Sequence, residues 1–569
     1  MIRNYVEAEP ATAAKDVNQK MYDVIVVGLG PVGAICAHLL AARGISALVI
    51  EKANTIYDLP RAIHIDHEVM RILQSVGLAE QLLPTLSMAV GGVHFGADLA
   101  ITRPFQRYET SERLGWSSDY FFYQPDFETV LREQLCLRDN VDIRLGREVT
   151  AVRQCGDVVS VVLDGTEEIS ASYVFGCDGA RSIVRKSTGT ELEDLGFEES
   201  WIVVDAVVDG PIQIPDLRGL PAGIDLQRLV FLIGDPTRPT SVIPGPGSHR
   251  RWEFLLLPSE VPDDYADNES ARKLLAPWLG EQRYSVVRCT VYRFHALLAK
   301  KWMINRVFLL GDAAHQTPPF FGQGLCHGIR DAANLTWKLR MVLDGVSSAN
   351  LLSTYQLERL PHVRKIIETS IQMGRFMCTL DAETARARDA IMREQIQGAT
   401  QAKIDIIPKL EGGITAPRQR ADSPVGERFI QPPMIDHRGQ RRLLDDFTRR
   451  GFVLLSTFLV NMSPAVFLSG QVKLDCFTIR SSDTVLPERE RELHDCSGEL
   501  VGWLENHHCR GVVLRPDGYV YGIFSSPEEA TAVLEDLELQ LSNIGTFERR
   551  RDETPIVLHA EIGEAMAPL

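Results

Sequence analysis

Residues 24–33, Val-Ile-Val-Val-Gly-Leu-Gly-Pro-Val-Gly, constrain the fold more than any other stretch of the chain. Val24 to Val27 form a run of four β-branched residues, a short buried strand. The residues after it carry apolar positions at helical spacing, with Gly44 placed as a C-cap. A second apolar run, Ile45 to Ile50, ends on Glu51. The whole reads as a βαβ unit whose first turn is G-x-G-x-x-G. Gly28 allows the tight turn, Gly30 lets a pyrophosphate approach the backbone, and Gly33 lets helix and strand pack closely, while free amides at the helix N-terminus face the phosphates. Glu51 stands where a carboxylate accepts both ribose hydroxyls. The unit is expected to bind a dinucleotide.

At 569 residues the chain should hold two to four domains. Its formal charge of −16 argues against general nucleic-acid binding, which needs a basic face. The 10 cysteines form no C-x-x-C pair, so neither a disulfide framework nor a metal site is expected and a reducing cytoplasm is the simplest setting. Residues 1–20 are polar and read as a flexible tail. No stretch approaches the ~18 apolar residues that span a bilayer, so no membrane partner is expected.

Three further stretches carry candidate chemistry. Arg61 follows the second strand on the ligand side, as a solvated loop residue or a clamp on a phosphate or ring. The run Tyr173 to Arg185 ends a strand at Asp178-Gly179 and continues into a short helix with two arginines. The run Arg306 to Gly324 ends a strand at Gly311-Asp312, and a long helix begins near Gly322. That helix has an apolar stripe of Leu325, Ile329, Ala332, Leu335 and Leu339, and its N-terminus is a ready anion site. Asp312 could accept from polyol hydroxyls or simply cap a helix. Trp201 to Val208, Leu229 to Ile233, Arg251 to Leu257 and Ser285 to His295 alternate like an antiparallel sheet, the basis of a substrate domain. Beyond about residue 400 a turn-rich linker leads to a separate module of strands closed by a helix from Pro527 to Leu541. His507-His508-Cys509 has no partner ligands at metal spacing, so no metal is assigned.

Gly28–Gly33 with Glu51, Asp178-Gly179 with Arg181, and Gly311-Asp312 with Gly322–Gly324 occur in that order. Together they resemble the single-component flavoprotein aromatic hydroxylases typified by p-hydroxybenzoate hydroxylase. The pieces Pro60–Ile63, Gln74–Leu78, Trp201–Asp205 and Asp235–Pro239, with the Tyr292–His295 strand, look most like the 3-(3-hydroxyphenyl)propionate hydroxylase branch. The resemblance implies an α/β plus α+β chain. A discontinuous Rossmann-like FAD-binding domain would take 21–95, 130–190 and 285–375, and a substrate-binding sheet domain 96–129 and 191–284. A helical linker would follow over 376–420, then a thioredoxin-like domain over 421–569 that lacks C-x-x-C and is expected to be structural.

By the same resemblance, Gly28, Gly30, Gly33 and Glu51 hold the ADP half of FAD. Arg61, Gln124 and Arg132 contact its flavin side, and Asp312 binds the ribityl chain. The backbone near Gly322 and Gly324 faces the flavin pyrimidine, and Asp178-Gly179 serves both FAD and a transient NADH or NADPH. The implied reaction is hydroxylation of a phenolic acid of the 3-(3-hydroxyphenyl)propanoate type by O2 through a C4a-hydroperoxyflavin, as in aromatic catabolism. The phenol needs a base or polar relay, for which His295, Tyr292 and His64 are candidates. Burying a carboxylate needs a cation, for which Arg238 and Arg250 are candidates. Trp116 and Phe320, with Tyr120, Phe121 and Phe321, are candidate pocket walls. One alternative is an oxygenase of the same fold acting on a larger polycyclic or polyketide phenol. The other is a non-catalytic flavin- or nucleotide-binding protein. A homodimer is an open expectation.

Overall fold

The computed structural model describes residues 21–542 apart from 89, 108–113, 221, 266, 399–406, 419, 449–450, 460–471, 473 and 482–488. The tail expected over 1–20 and part of the linker fall outside the described residues. The nucleotide unit forms as its sequence requires. Tyr22–Val27 is the first strand, Pro31–Ala42 the helix and Ala47–Glu51 the second strand. The first strand lies in the middle of its sheet, parallel to Ala47–Glu51 on one side and to Glu167–Gly176 on the other. Val141–Leu145 and Val307–Leu309 extend the parallel order outward. A strand buried on both faces has no polar side to show, which is why Val24 to Val27 carry no alternation. The chain turns back at Asp164-Gly165, both at positive φ (50° and 76°), in the hairpin that an Asp-Gly pair favours.

The second layer is a mostly antiparallel sheet. Its order is His315–Gln316, Tyr284–Ala299, Leu192–Val208, His249–Leu255, Thr240–Pro244, Leu229–Ile233, Gly91–Phe95 and Ile101–Arg107. Two edges differ from the expected domain limits. Gly91–Phe95 pairs in parallel with Leu229–Ile233, so it belongs to this sheet and not to the nucleotide layer. Tyr284–Ala299 hydrogen-bonds to Leu192–Val208 along its length, so the second sheet does not end at 284. One face carries Ile202, Val204, Trp252 and Phe254 against the helix Asn268–Leu279. The opposite face looks across a cleft at the nucleotide layer. A small sheet of His64–Asp66, Asp119–Phe122 and Leu86–Met88 lies at the seam.

After the helices Thr354–Met377 and Ala382–Gly398, the chain builds a third, seven-stranded mixed sheet flanked by Glu499–Asn506 and Pro527–Ser542. This module docks through apolar contacts of Trp337 and Leu351 with Phe452 and Leu454, and through buried charges. Glu358 accepts from Arg515 (2.8 and 3.0 Å), Lys338 (2.7 Å) and the Ile414 amide (2.8 Å). The Tyr519 hydroxyl donates to Glu68 at 2.9 Å. Buried charges of this kind hold only when every partner is present.

Two outcomes follow from this interface. Arg515→Met takes the guanidinium from both Glu358 and Asp517 and should cost about 3–5 kcal/mol, read from urea unfolding followed by tryptophan fluorescence. Burial pushes the Glu358 carboxyl up, but Arg515 and Lys338 outweigh it and hold it down at about 2. Its contribution should therefore be complete above the ordinary 4.5 and fall away as pH drops through about 2, a loss that Glu358→Gln should remove.

Candidate active site

The glycine turn is fixed by what surrounds it. Gly28 has φ +100°, and a Cβ there would stand 2.5 Å from the Cys177 carbonyl oxygen. A Cβ at Gly33 would fall inside contact distance of the Gly28 carbonyl. Gly30 differs, because a Cβ there would meet nothing within 4 Å. Two of the glycines therefore serve packing, and the third opens onto space at a helix N-terminus that no side chain caps. Glu51 accepts from the Leu29 amide (2.8 Å) with one oxygen and from the Ala53 amide (2.9 Å) with the other, so the loop and the end of the second strand share one carboxylate.

The helix Gln124–Leu135 braces this loop. Gln124, Glu128 and Arg132 lie one turn apart on one face. Gln124 Oε1 accepts from the amides of Arg61 (2.9 Å) and Ala62 (2.8 Å), and its Nε2 donates to Glu128 (2.7 Å). Arg132 donates to the Leu29 carbonyl (3.1 Å), while its buried Nε has no protein partner. The Arg61 side chain is exposed, lies over the Tyr57 ring at 4.3 Å and forms no ion pair among the described residues.

Asp178 and Asp312 end neighbouring parallel strands. Asp178 Oδ2 accepts from the Val184 amide (3.0 Å), but its buried Oδ1 has no partner, and burial pushes the carboxyl up. Gly179 has φ +76° with open space beyond its Cα. Asp312 is exposed to solvent, with protein packed around it. That crowding raises its carboxyl, opposed by His315 and Arg61. Its turn is held from below by Asp331, which accepts from the Gly311 amide (3.1 Å), His315 Nε2 (2.7 Å) and Arg359 Nε (2.9 Å).

The helix Gln323–Leu343 begins at Gly322, which has φ +62° and no side-chain cap. Nothing lies within 4 Å of a Cβ at Gly324. A Cβ at Gly322 would stand 2.8 Å from His64 Nδ1. His64 is buried behind this turn, with Nδ1 3.3 Å from the Gly322 carbonyl and Nε2 2.6 Å from Asp119. It is thus placed as a brace for the helix start. Burial alone would lower its pKa, but the bond to Asp119 carries it well above the ordinary 6.5.

On the second sheet, period-two alternation sorts the remaining candidates. Trp201 pairs with Tyr292, and Asp205 with Arg288 and Arg251, so these five share the cleft face. Phe320 meets Trp201 edge-on at 5.9 Å and Phe197 at the same distance, so it does line this region. Arg288 donates to the Tyr292 hydroxyl at 2.6 Å and to Asp205 at 2.6 and 3.0 Å. Arg251 donates to Asp205 at 2.8 Å, to the Arg61 carbonyl at 2.9 Å and to the Pro60 carbonyl at 3.3 Å.

Four candidates do not join this face. His295 pairs with Glu198 by register and by side chain (3.2 Å), three residues from Tyr292 and therefore on the opposite face. Arg250 shares that opposite side with Trp252 and donates to the carbonyls of Gly247 (3.1 Å) and His249 (2.7 Å). Arg238 is bound to Glu260 at 2.5 and 2.7 Å. The Trp116 indole donates to Gln74 at 2.8 Å, on the helix that meets the C-terminal module. Asp205, Arg251, Arg288, Asp119 and Asp331 were not singled out from sequence. The available signal was Asp205 itself, an ionisable residue inside an apolar strand run, which has to find a buried partner.

A family model described as an FAD binding domain matches residues 21–370, and one described as the HcaD C-terminal domain matches 426–540. Over 547 residues the chain is 33% identical to a probable NADH-specific resorcinol 4-hydroxylase of Rhodococcus jostii (strain RHA1), covering 93% of this chain and 96% of the relative. Over 529 residues it is 31% identical to a 3-(3-hydroxy-phenyl)propionate/3-hydroxycinnamic acid hydroxylase of Burkholderia cenocepacia (strain HI2424), covering 88% and 94%. Among solved structures, the flavin-dependent monooxygenase PieE in complex with FAD and substrate superposes with a TM-score of 0.75 at 20% identity. That match covers 93% of this chain and 100% of the other, a likeness of fold.

The His64 arrangement has a direct spectroscopic outcome. Its imidazole should keep both N–H protons at pH 7.5 in nitrogen-edited NMR, whereas His38, which burial lowers to about 4, should be neutral. Asp119→Asn should return His64 toward the neutral form. Because its folded pKa is raised, the stability it contributes is complete below about 6.5 and is lost as pH rises through the folded value.

Proposed function

The chain belongs to the FAD-dependent aromatic hydroxylases, monooxygenases with a nicotinamide electron donor, and from that premise we propose which of its residues carry the reaction and on what substrate class. The cleft fits FAD by its own geometry. Gly30 opens onto space at an uncapped helix N-terminus, Gly322 begins a second such helix, and Asp312 is exposed beyond the neighbouring strand end. Asp178 Oδ1 and Arg132 Nε are buried polar atoms that await partners. We assign Gly28, Gly30, Gly33 and Glu51 to the ADP half, Asp312 to the ribityl chain, and the 322–324 backbone with Arg61 to the flavin. Gln124 and Arg132 act by holding the loops that carry these contacts. Asp178-Gly179 is assigned to the nucleotide side.

Bound FAD supplies reduction by the nicotinamide and activation of O2 for transfer of one oxygen atom to the ring. The chain supplies the substrate's proton chemistry. Because Arg288 donates to the Tyr292 oxygen, the hydroxyl proton of Tyr292 is free to be donated to a phenolic oxygen in the cleft, which favours the ionised ring. That single contact carries the assignment of Tyr292 over His295. Trp201 and Phe320 form an apolar wall that limits water, which such oxygen chemistry requires.

The proposed substrate is a single-ring phenol of the 3-(3-hydroxyphenyl)propanoate type. Arg251 and Arg288 both donate to one carboxylate, Asp205. Two guanidiniums at one carboxylate suit this face to an anionic ring. These two arginines replace Arg238 and Arg250 as the cationic element. A neutral dihydroxybenzene is the second reading, favoured by the identity to a resorcinol hydroxylase. We also propose that the C-terminal module is thioredoxin-like in topology and structural in role.

Gly30→Asp should abolish flavin retention, read from the 450 nm region of the purified protein's spectrum; full retention would place the pyrophosphate elsewhere. Tyr292→Phe should lower kcat/KM for product formation by roughly a hundredfold or more, and His295→Asn should leave it near wild type. Faster coupled turnover of resorcinol than of any phenolic acid would overturn the acid reading and leave the flavin assignment standing.

A further inference from the structure

The Pro60–Arg61 peptide is held from two layers at once. Its nitrogen side is fixed by Gln124 of the nucleotide layer, which accepts from the amides of Arg61 and Ala62 at 2.9 and 2.8 Å. Its carbonyl side is fixed from the substrate sheet, where Arg251 donates to the Arg61 carbonyl at 2.9 Å and the Pro60 carbonyl at 3.3 Å. Arg251 is 3% exposed and bonded to Asp205, which narrows the geometries open to it. Two backbone carbonyls and a carboxylate take four of the five N–H donors of a planar fork that a lysine cannot reproduce. The Arg61 guanidinium, by contrast, is exposed and lies over the Tyr57 ring.

We infer that Arg251 is a positioning residue for the cofactor, reaching from the substrate sheet to set where the Arg61 guanidinium meets the flavin. The same bonds continue through Asp205 and Arg288 to Tyr292, so one buried chain joins the phenol-binding face to the flavin clamp. The inference rests on the assignment of Arg61 to the flavin. It goes beyond that assignment in naming the residue that aims it and the layer from which it is aimed.

The test follows FAD dissociation from the holoenzyme by flavin fluorescence, together with the visible circular dichroism of bound flavin. Arg251→Lys keeps the charge opposite Asp205 but gives up bonds to the two carbonyls. It should weaken FAD binding about tenfold and alter the flavin's visible dichroism, with an unchanged far-ultraviolet spectrum. Arg61→Met should weaken binding by a similar factor, and adding Arg251→Lys to it should bring no further loss, because both act through one contact. Independent, multiplying losses in the double variant would overturn the inference, as would Arg251→Lys releasing FAD at the wild-type rate. If Arg61→Met alone has no effect on FAD, the Arg61 assignment itself is wrong, and the inference falls with it.

Discussion

Two absent methyl groups decide how this chain packs. The first strand, its helix and the strand ending at Gly176 meet so closely that a Cβ at Gly28 would strike the Cys177 carbonyl. One at Gly33 would strike the carbonyl of Gly28. With both glycines in place, the carboxyl ends of Tyr22–Val27 and Glu167–Gly176 open side by side, and the helix N-terminus points between them. Everything the cleft contributes is measured from that junction. Asp178 is the second residue beyond one strand end, Glu51 ends the adjacent strand, and Asp312 follows the next strand over.

The second sheet cannot attach to that junction through apolar contact alone, because the face it presents carries Asp205, Arg251 and Arg288. Each is buried, and each is bonded to the others, to Tyr292 or to the carbonyls of the Pro60–Arg61 loop. The C-terminal module attaches under the same rule, with Glu358, Arg515 and Lys338 all fully buried. Such contacts contribute less to stability than well-packed apolar groups would, yet they tolerate only one register. The layers are therefore fastened by geometry that has to be complete, which suits a cleft whose reacting groups come from different layers.

How much of this was legible in the sequence follows from that division of labour. Where the backbone does the chemistry, the signal is local. The turn at Gly28–Gly33, the Gly311-Asp312 strand end and the helix start at Gly322 all stand where their residues imply. Where side chains act across layers, no local pattern records the partner. Arg251 lies 46 residues from Asp205 in the chain and 190 from Arg61, and nothing near it in sequence says that it turns toward the cleft. His295 and Tyr292 show the same limit on one strand. Both are plausible proton carriers, and only the register against Trp201 and Glu198 separates their faces.

Parity along that strand also bears on the chemistry. A phenol gains reactivity when its oxygen carries charge, and a buried group that favours the charge must itself be held against water. His295, partly exposed and 3.2 Å from Glu198, lies on the opposite face. Tyr292 is held by a guanidinium whose other nitrogens are spent on Asp205, so the positive charge beside its oxygen cannot rotate away. On the proposed reading the cation is fixed and the hydroxyl proton is the mobile element, on the face shared with Trp201, against which Phe320 packs. A histidine could exchange its proton with solvent at that position. An arginine-held tyrosine ties proton movement to the presence of the ring, which is what an oxygenase needs if it is to spend its oxygen on substrate and not on water.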